Sequence, residues 1–458
     1  MGKKSKTEDE SSGRKGKTSK TPFSFLNTGF DNIDIKTVKN RIFFLILASV
    51  ITKLIVIFAT TSVFHSFIDF FDIGTYFEHA VPLLEGQLPY INYQIEYPIL
   101  LFIPIALALI PAMILQSQMA FVFSFQILMV LCDILIVLCV YFIGLKIWSE
   151  KTAFLSGLFY ATAFSTAYFV LTKSDAFPTC ILMVALLFTI YSMNTRGYIS
   201  ATLGFFTKIF PVVALPFIVI YNAKSTSLKT ELISAGKIFL LFCILLLLPF
   251  ALINPDVVRT YLFATGGSIG VYVNTTTFTI YSYLHDVFHL GISPTAVSIV
   301  MYALMGITLL LLLFFASLER EKNPKNLVKF VLCAIFCLVF LTKFHSPQYL
   351  VWFTPLLALL VADDIVKIAL FFVTQIFAYV EFPLMFGKYY VNLNYTNPVG
   401  TSDWYLTLIF FTLEYIAFLI LLYFIIRPKE GMINWMKFFF QTLSLKKNNY
   451  HKYNNDSK

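Results

Sequence analysis

The sequence predicts an all-α polytopic membrane protein, and three observations carry that reading. Hydrophobic residues make up 58% of the 458-residue chain and charged residues only 13%, with a mean hydropathy of +0.78. Apolar runs of about 18 residues or more, each long enough to cross a bilayer, recur from end to end. Short alternating stretches of the kind a membrane β-barrel needs are not seen. Inside lipid, backbone N–H and C=O groups must pair within their own segment, so these runs are expected as helices.

The formal charge of +9 does not point to nucleic acid, because most basic residues lie in the two tails and in short loops, as cytoplasmic retention requires. Residues 1–41 form a basic cytoplasmic tail, and its stretch MGKKSKTEDESSGRKGKTSKT is too polar to build a core and reads as disordered. With some forty polar residues ahead of the first apolar run, no cleavable signal peptide is expected. Residues 42–426 read as a single transmembrane domain and 427–458 as a second basic tail. The six cysteines, Cys132, Cys139, Cys180, Cys243, Cys333 and Cys337, all lie in apolar runs and are expected as small buried hydrophobes.

Span one, 42–64, follows Lys36, Lys39 and Arg41, which places its start in the cytoplasm and the loop 65–118 outside. That loop ends in YPILLFIPIALALIPAMIL, where Pro104 and Pro111 predict two half-helices at the outer interface. Spans two to four are expected over 119–146, 153–172 and 176–193. ISATLGFFTKIFPVVALPFIVIY then carries Lys208, Pro211 and Pro216 between two basic flanks. A broken re-entrant hairpin keeps both flanks inside, where a single crossing would not. Span five, 232–253, leads to an outer loop, 254–292; spans six to ten are expected over 294–318, 327–342, 349–363, 366–386 and 404–426. The count is about ten crossings with both tails cytoplasmic.

In that threading the outer face is acidic and aromatic. It holds Asp69, Asp72, Glu78, Glu85, Glu96, Asp175, Asp256, Asp286 and Asp403, against only Lys173, Arg259, Lys343 and Lys388 of opposite sign. A carboxylate there can take a proton from a hydroxyl, and a cation can hold a departing phosphate. Asp175 also suits the N-cap of span four. Asp133, in mid-bundle, is expected to pair with Lys53 or Lys208. His79, His285, His289 and His345 lack metal-ligand spacing. Asn274 and Asn394 match the Asn-x-Thr pattern, which carries no argument alone. No glycine-rich nucleotide signature is present, so a phosphate is expected to arrive on a lipid.

Four segments in order resemble the GT-C superfamily of glycosyltransferases that use polyprenyl-phosphate sugars. They are DIGTYFEHAVPLLEGQLPY with EYP, LCDILIVLCVY, GFFTKIFPVVALP and SPQYLVWFTPLLAL. They are most similar to glycosyltransferase family 87 and to the mannosyltransferase that adds the first mannose of the GPI anchor. The resemblance covers about residues 69–355. It implies a GT-C-like fold and transfer of a hexosyl group, a mannosyl group in the GPI enzyme, from a polyprenyl-phosphate donor to a glycan or glycolipid acceptor. Asp72 falls where the family keeps its catalytic carboxylate and would act as general base in an inverting displacement. Asp69, Glu96 and Tyr97 would join the site, and Ser346, Gln348, Tyr349 and Trp352 would shape the donor or acceptor pocket.

The chain departs from the pattern in having Asp-x-x-Asp where the GPI enzyme has Asp-x-Asp, and Ile99 where family 87 commonly has proline. No cofactor is required; a divalent metal is compatible with the acidic pair. Arg259 and Lys343 are assigned to the lipid phosphate, and Asp175 to substrate binding, from the residues alone. The expected setting is a cell membrane, or the endoplasmic reticulum in a eukaryote, with the site extracytoplasmic. A transporter or lipid-linked-glycan flippase is the rival class, and a non-catalytic subunit of a glycan-assembly complex is a third.

Overall fold

The computed structural model describes residues 34–60, 69–95, 97–257, 270–382, 385 and 399–427. Within them the chain is helical almost throughout, and the β-type pairing is an isolated bridge between Pro89 and Tyr93. The all-α membrane class expected from the sequence is therefore found. The described residues hold six helices long and apolar enough to cross a membrane, or seven if one bent pair is a single span.

Helix α1 (Ile35–Phe58) starts ahead of the expected residue 42. The Asp34 carboxylate accepts from the backbone N–H groups of Lys36 and Thr37, both at 3.2 Å, and so fixes the start where two orphan donors need a partner. Residues 35–41 thus belong to the helix, and residues 1–33 of the N-terminal tail lie outside the described residues, as does nearly all of the C-terminal one. After α1 comes the short helix α2 (Phe71–Ala80), extended by a 3₁₀ turn, Val81–Glu85, that closes on Gly86 at φ +75°. A left-handed residue there suits glycine.

Two half-helices were expected next; the structure has one, α3 (Phe102–Leu115), entered through a 3₁₀ turn over Ile99–Leu101. Pro104 is its third residue, where the N–H has no intrahelical acceptor to lose, so this proline does not break it. Pro111 does cost a hydrogen bond inside the helix. The neighbouring α4 (Gln118–Ile147), against which α3 packs, keeps the two turns in line.

The expected third span is bent. Helices α5 (Glu150–Ala161) and α6 (Phe164–Thr172) meet at 54° across Thr162 and Ala163. The Thr162 hydroxyl donates back to the Leu158 carbonyl at 2.8 Å and Thr166 to that of Ala163 at 2.9 Å, second bonds to carbonyls that also accept backbone N–H groups, a back-bonding that favours bending. Then follow α7 (Ala176–Ile190) and α8 (Asn194–Phe205), and, past a break and a 3₁₀ turn at Phe210–Val213, α9 (Ala214–Ala223). The helix–break–helix expected around Lys208 is present. Gly204 faces Pro211 so closely that a Cβ there would lie 2.6 Å from the proline ring. Gly204→Ala should therefore destabilise the fold by about 1–3 kcal/mol, the usual cost of overpacking, because a ring and a backbone, not a flexible side-chain end, must yield. A thermal melt of the purified variant, indistinguishable from that of the parent, would count against this close approach.

Helix α10 (Leu228–Phe242) passes through a π turn, Cys243–Leu247, into α11 (Leu248–Ile253). Pro249 supplies the reason: its ring cannot sit over the carbonyl four residues back in a regular helix, and the wider turn relieves the clash. The expected outer loop 254–292 is not wholly irregular. It contains α12 (Thr276–Ser282), capped by the Thr275 hydroxyl, which accepts from Phe278 N–H at 3.0 Å. Helices α13 (Pro294–Leu318), α14 (Pro324–Phe340), α15 (Leu350–Val361), α16 (Ile365–Tyr379) and α17 (Ser402–Ile426) complete the chain.

The core lies around α4 and α15. Helix α4 packs against α1, α3, α5, α6, α7 and α15. All twelve residues of α15 are buried, so it has no lipid face, as a helix apolar all round should when enclosed by protein. At 12 residues it is about 18 Å long, shorter than a hydrocarbon core of about 30 Å. Helices α7 and α14, at 15 and 17 residues, are likewise shorter than the six spanning segments, which run from 18 to 30 residues. Inside the bundle Lys53 and Asp133 pair at 2.5 Å, and Ser49 and Tyr160 each donate to Asp133 at 2.8 Å. Of the two expected partners of Asp133, Lys53 is the one found. All six cysteines are free, four of them buried.

Candidate functional site

Three consecutive residues between α6 and α7 organise the polar cluster. Lys173, Ser174 and Asp175 are all buried; the first two reach the start of α2, and the third reaches Lys208 and Trp352. Lys173 Nζ lies 2.8 Å from Asp69 Oδ2 and 3.2 Å from Asp72 Oδ2. Ser174 Oγ accepts from the Tyr76 hydroxyl at 3.0 Å. Asp175 Oδ1 accepts from Lys208 Nζ at 2.6 Å and from Trp352 Nε1 at 2.5 Å.

Asp69 and Asp72 stand at the start of α2, where a carboxylate suits the positive end of a helix. The Asp69 carboxylate accepts from Phe71 N–H at 3.0 Å, and Asp69 N–H donates to the Tyr168 hydroxyl at 3.1 Å. The Lys173 side chain is 7% exposed, against 26% for Asp69 and 23% for Asp72. The ammonium thus backs the pair from the protein side and leaves both carboxylates reachable. Burial raises the Asp72 pKa above the ordinary aspartate value; Lys173 opposes this, while Asp69 and Asp175 add to it. Burial also holds the Tyr76 phenol well above its usual range, so that it remains a donor to Ser174.

Asp175 occupies the N-cap position of α7 as expected, but its side chain does not cap the helix. Its carboxylate turns to Lys208 and Trp352 instead, a correction with a physical cause: a buried charge gains more from an ammonium and an indole N–H than from one backbone amide. The second oxygen, Oδ2, is buried without a hydrogen-bond partner among the described residues. Trp352 is sandwiched between Phe210 at 4.0 Å and Tyr349 at 3.8 Å, and the Lys208 ammonium lies 5.2 Å and 5.5 Å from the Trp352 and Tyr349 rings. Tyr97 joins through an edge contact with Tyr76 at 5.2 Å.

The structure thus brings Asp69, Asp72, Tyr97, Asp175, Tyr349 and Trp352 into one connected network. It does not draw in the rest. Ser346 donates to Gln348, two residues on, so these side chains serve each other. Lys343 forms no ion pair among the described residues, and its carbonyl accepts from Tyr272 N–H at 2.9 Å. Glu96 and Arg259 lie outside the described residues, as do Lys388 and Asn394. Asn274 is buried and donates to Glu381 at 2.8 Å.

Two residues absent from the expected site prove central. Lys173 and Lys208 each neutralise the carboxylates that the sequence singled out. Their signal was present: Lys173 is a basic residue retained on an otherwise acidic face, and Lys208 interrupts an apolar hairpin. Among the described residues no three His, Cys, Asp or Glu side chains converge as metal ligands. Between Asp69 and Asp72 an ammonium occupies the place that a bridging ion would need. No protein-family model matches this chain, and no curated protein matches it either.

Proposed function

We propose that this chain is a membrane-embedded glycosyltransferase of the GT-C kind, moving a hexosyl group, most simply mannosyl, from a polyprenyl-phosphate donor to a glycan or glycolipid acceptor. The observation that carries the reading is Asp72, a reachable carboxylate on a short helix beyond the first span, backed by a buried lysine. Asp72 takes the proton of the acceptor hydroxyl. The hydroxyl oxygen forms its bond to the anomeric carbon as the bond to the lipid phosphate breaks on the opposite face, and the phosphate leaves with that electron pair. Configuration inverts, so a β-linked mannosyl phosphate gives an α-mannoside. Lys343, without an ion-pair partner among the described residues, is assigned to the leaving phosphate, together with Arg259. No step is routed through a metal.

In this proposal the chain crosses the membrane about ten times, with the α8–α9 break as a cytoplasmic re-entrant hairpin, α2 and α3 at the outer face, and both tails inside. The grouping of Arg41 with Glu150 and of Lys325 and Lys367 with Asp363 supports it, since the threading puts all five on the cytoplasmic side. A transporter or flippase is the competing reading, favoured by Glu381 and Glu414, which are buried within two spans. The decisive assay supplies radiolabelled polyprenyl-phosphate mannose to membranes holding the protein and follows label into product. Label that changes leaflet without changing its covalent partner would select the flippase.

Lys173 gives this proposal a pH signature. Asp72 must be ionised to act, so activity falls as pH drops through its raised pKa. Lys173 lowers that pKa. Lys173→Met should therefore move the acid limb of the pH–rate profile to higher pH, while Lys173→Arg restores it toward the parent. An acid limb that stays put in the Met variant would remove Asp72 from the role of base.

A further inference from the structure

A second group of ionisable side chains lies away from the Asp72 network. Glu381, at the end of the span that begins with α16, and Glu414, in α17, are 5% and 4% exposed. Both line a single cavity, together with Asn274, His345 and Tyr415 and a wall of apolar residues that includes Phe340, Phe353 and Phe418. Carboxyl groups inside a bilayer are costly and call for a partner. Glu381 has one on one oxygen, the Asn274 amide at 2.8 Å. Glu414 has no hydrogen-bond or ion-pair partner among the described residues, although it is enclosed and faces the cavity.

The other polar groups of the cavity do not supply positive charge. Tyr415 donates its hydroxyl to the Asn274 backbone carbonyl at 2.6 Å. His345 sits in the segment joining α14 to α15, and burial pushes its pKa down to about 4, so its ring is neutral at physiological pH. Among the described residues, no lysine or arginine lines the cavity. Two carboxylates lining one small, low-dielectric cavity cannot readily both stay ionised; acids that share such a space commonly keep one proton between them.

We infer that Glu381 and Glu414 form a membrane-embedded proton-binding site, the pair sharing one proton within a cavity that reaches the 343–349 segment. The ligand is a proton and not a metal cation, because among the described residues the cavity offers few oxygen ligands beyond the two carboxyls, and a proton lowers the charge that faces the apolar wall. The inference does not depend on the glycosyl-transfer reading, and its test requires no activity.

The test is infrared difference spectroscopy of the full chain in lipid nanodiscs at neutral pH, which reads the C=O stretch of protonated carboxyls directly. The wild-type protein should show such a band; Glu381→Gln and Glu414→Gln should each alter it, and the double variant should lose it. Raising the pH should bleach the band in the parent. Absence of the band in the wild type at neutral pH overturns the inference, and that measurement needs no variant to fold. Survival of the band unchanged in the double variant overturns it as well. Loss of the band on exchanging choline chloride for sodium chloride would show a bound cation in place of the proton, and would equally refute it.

Discussion

Asp72→Asn should lose transfer activity by about 10²–10⁴-fold, the contribution of a positioned general base, while the protein remains folded. The loss should appear in kcat more than in KM, because asparagine keeps the shape of the side chain and removes only its capacity to take a proton. Folding should be little affected. Asp69 remains bound to Lys173 at 2.8 Å, and the bond that is lost belongs to a side chain still in contact with solvent. A partly exposed pair of this kind contributes up to about 1 kcal/mol. Membranes carrying equal amounts of parent and variant, given the labelled lipid donor, provide the comparison. Transfer at parental rate by the Asn variant would end the case for Asp72 as base.

The largest stability effect is expected at the opposite kind of position. Lys53→Met should destabilise the bundle by about 3–5 kcal/mol, the cost of leaving a buried charge without its counter-ion. Lys53 and Asp133 are enclosed at 3% and 0% side-chain exposure, so water cannot replace the missing partner. Ser49 and Tyr160 would still donate to Asp133, but neither carries charge. Adding Asp133→Leu to the variant should recover much of the loss, because the apolar pair removes both desolvation costs together. Thermal denaturation in detergent tests both statements. A Lys53→Met protein as stable as the parent would mean that Asp133 holds its own proton and that the lysine is dispensable.

These contrasting cases show what the sequence made legible. Composition and the length of apolar runs identify the class, because lipid leaves a chain few ways to pair its backbone. The pairing of Asp133 with Lys53 could be anticipated, since a charge in mid-bundle must find its opposite and few candidates exist. Local punctuation was less reliable. Pro104 looked like a break but falls in a first turn, where proline is harmless, and the bend at Thr162 has no proline or glycine to announce it. Short, enclosed helices such as α15 cannot be told from crossings by hydropathy, because protein and lipid are equally apolar surroundings for leucine.

Within the site, Asp72, Asp69, Asp175, Tyr349 and Trp352 could be chosen from residue type and resemblance. Lys173 and Lys208 stood out by type, but their partners did not, because those depend on which chain segments meet: Lys173 finds Asp69 across 104 residues, and Lys208 finds Asp175 across 33. The Asp175 side chain shows the same limit. Its position at the head of α7 favoured a cap, and tertiary partners of opposite charge outweighed that local option.

The turn between α6 and α7 has one further consequence. Through three adjacent side chains, Lys173, Ser174 and Asp175 hold the start of α2, Lys208 and Trp352, so their spacing works as a fixed ruler. Point substitutions can disable one contact at a time. A single inserted or deleted residue in the ruler would misalign all three together, so variation in length here is far less tolerable than variation in chemistry.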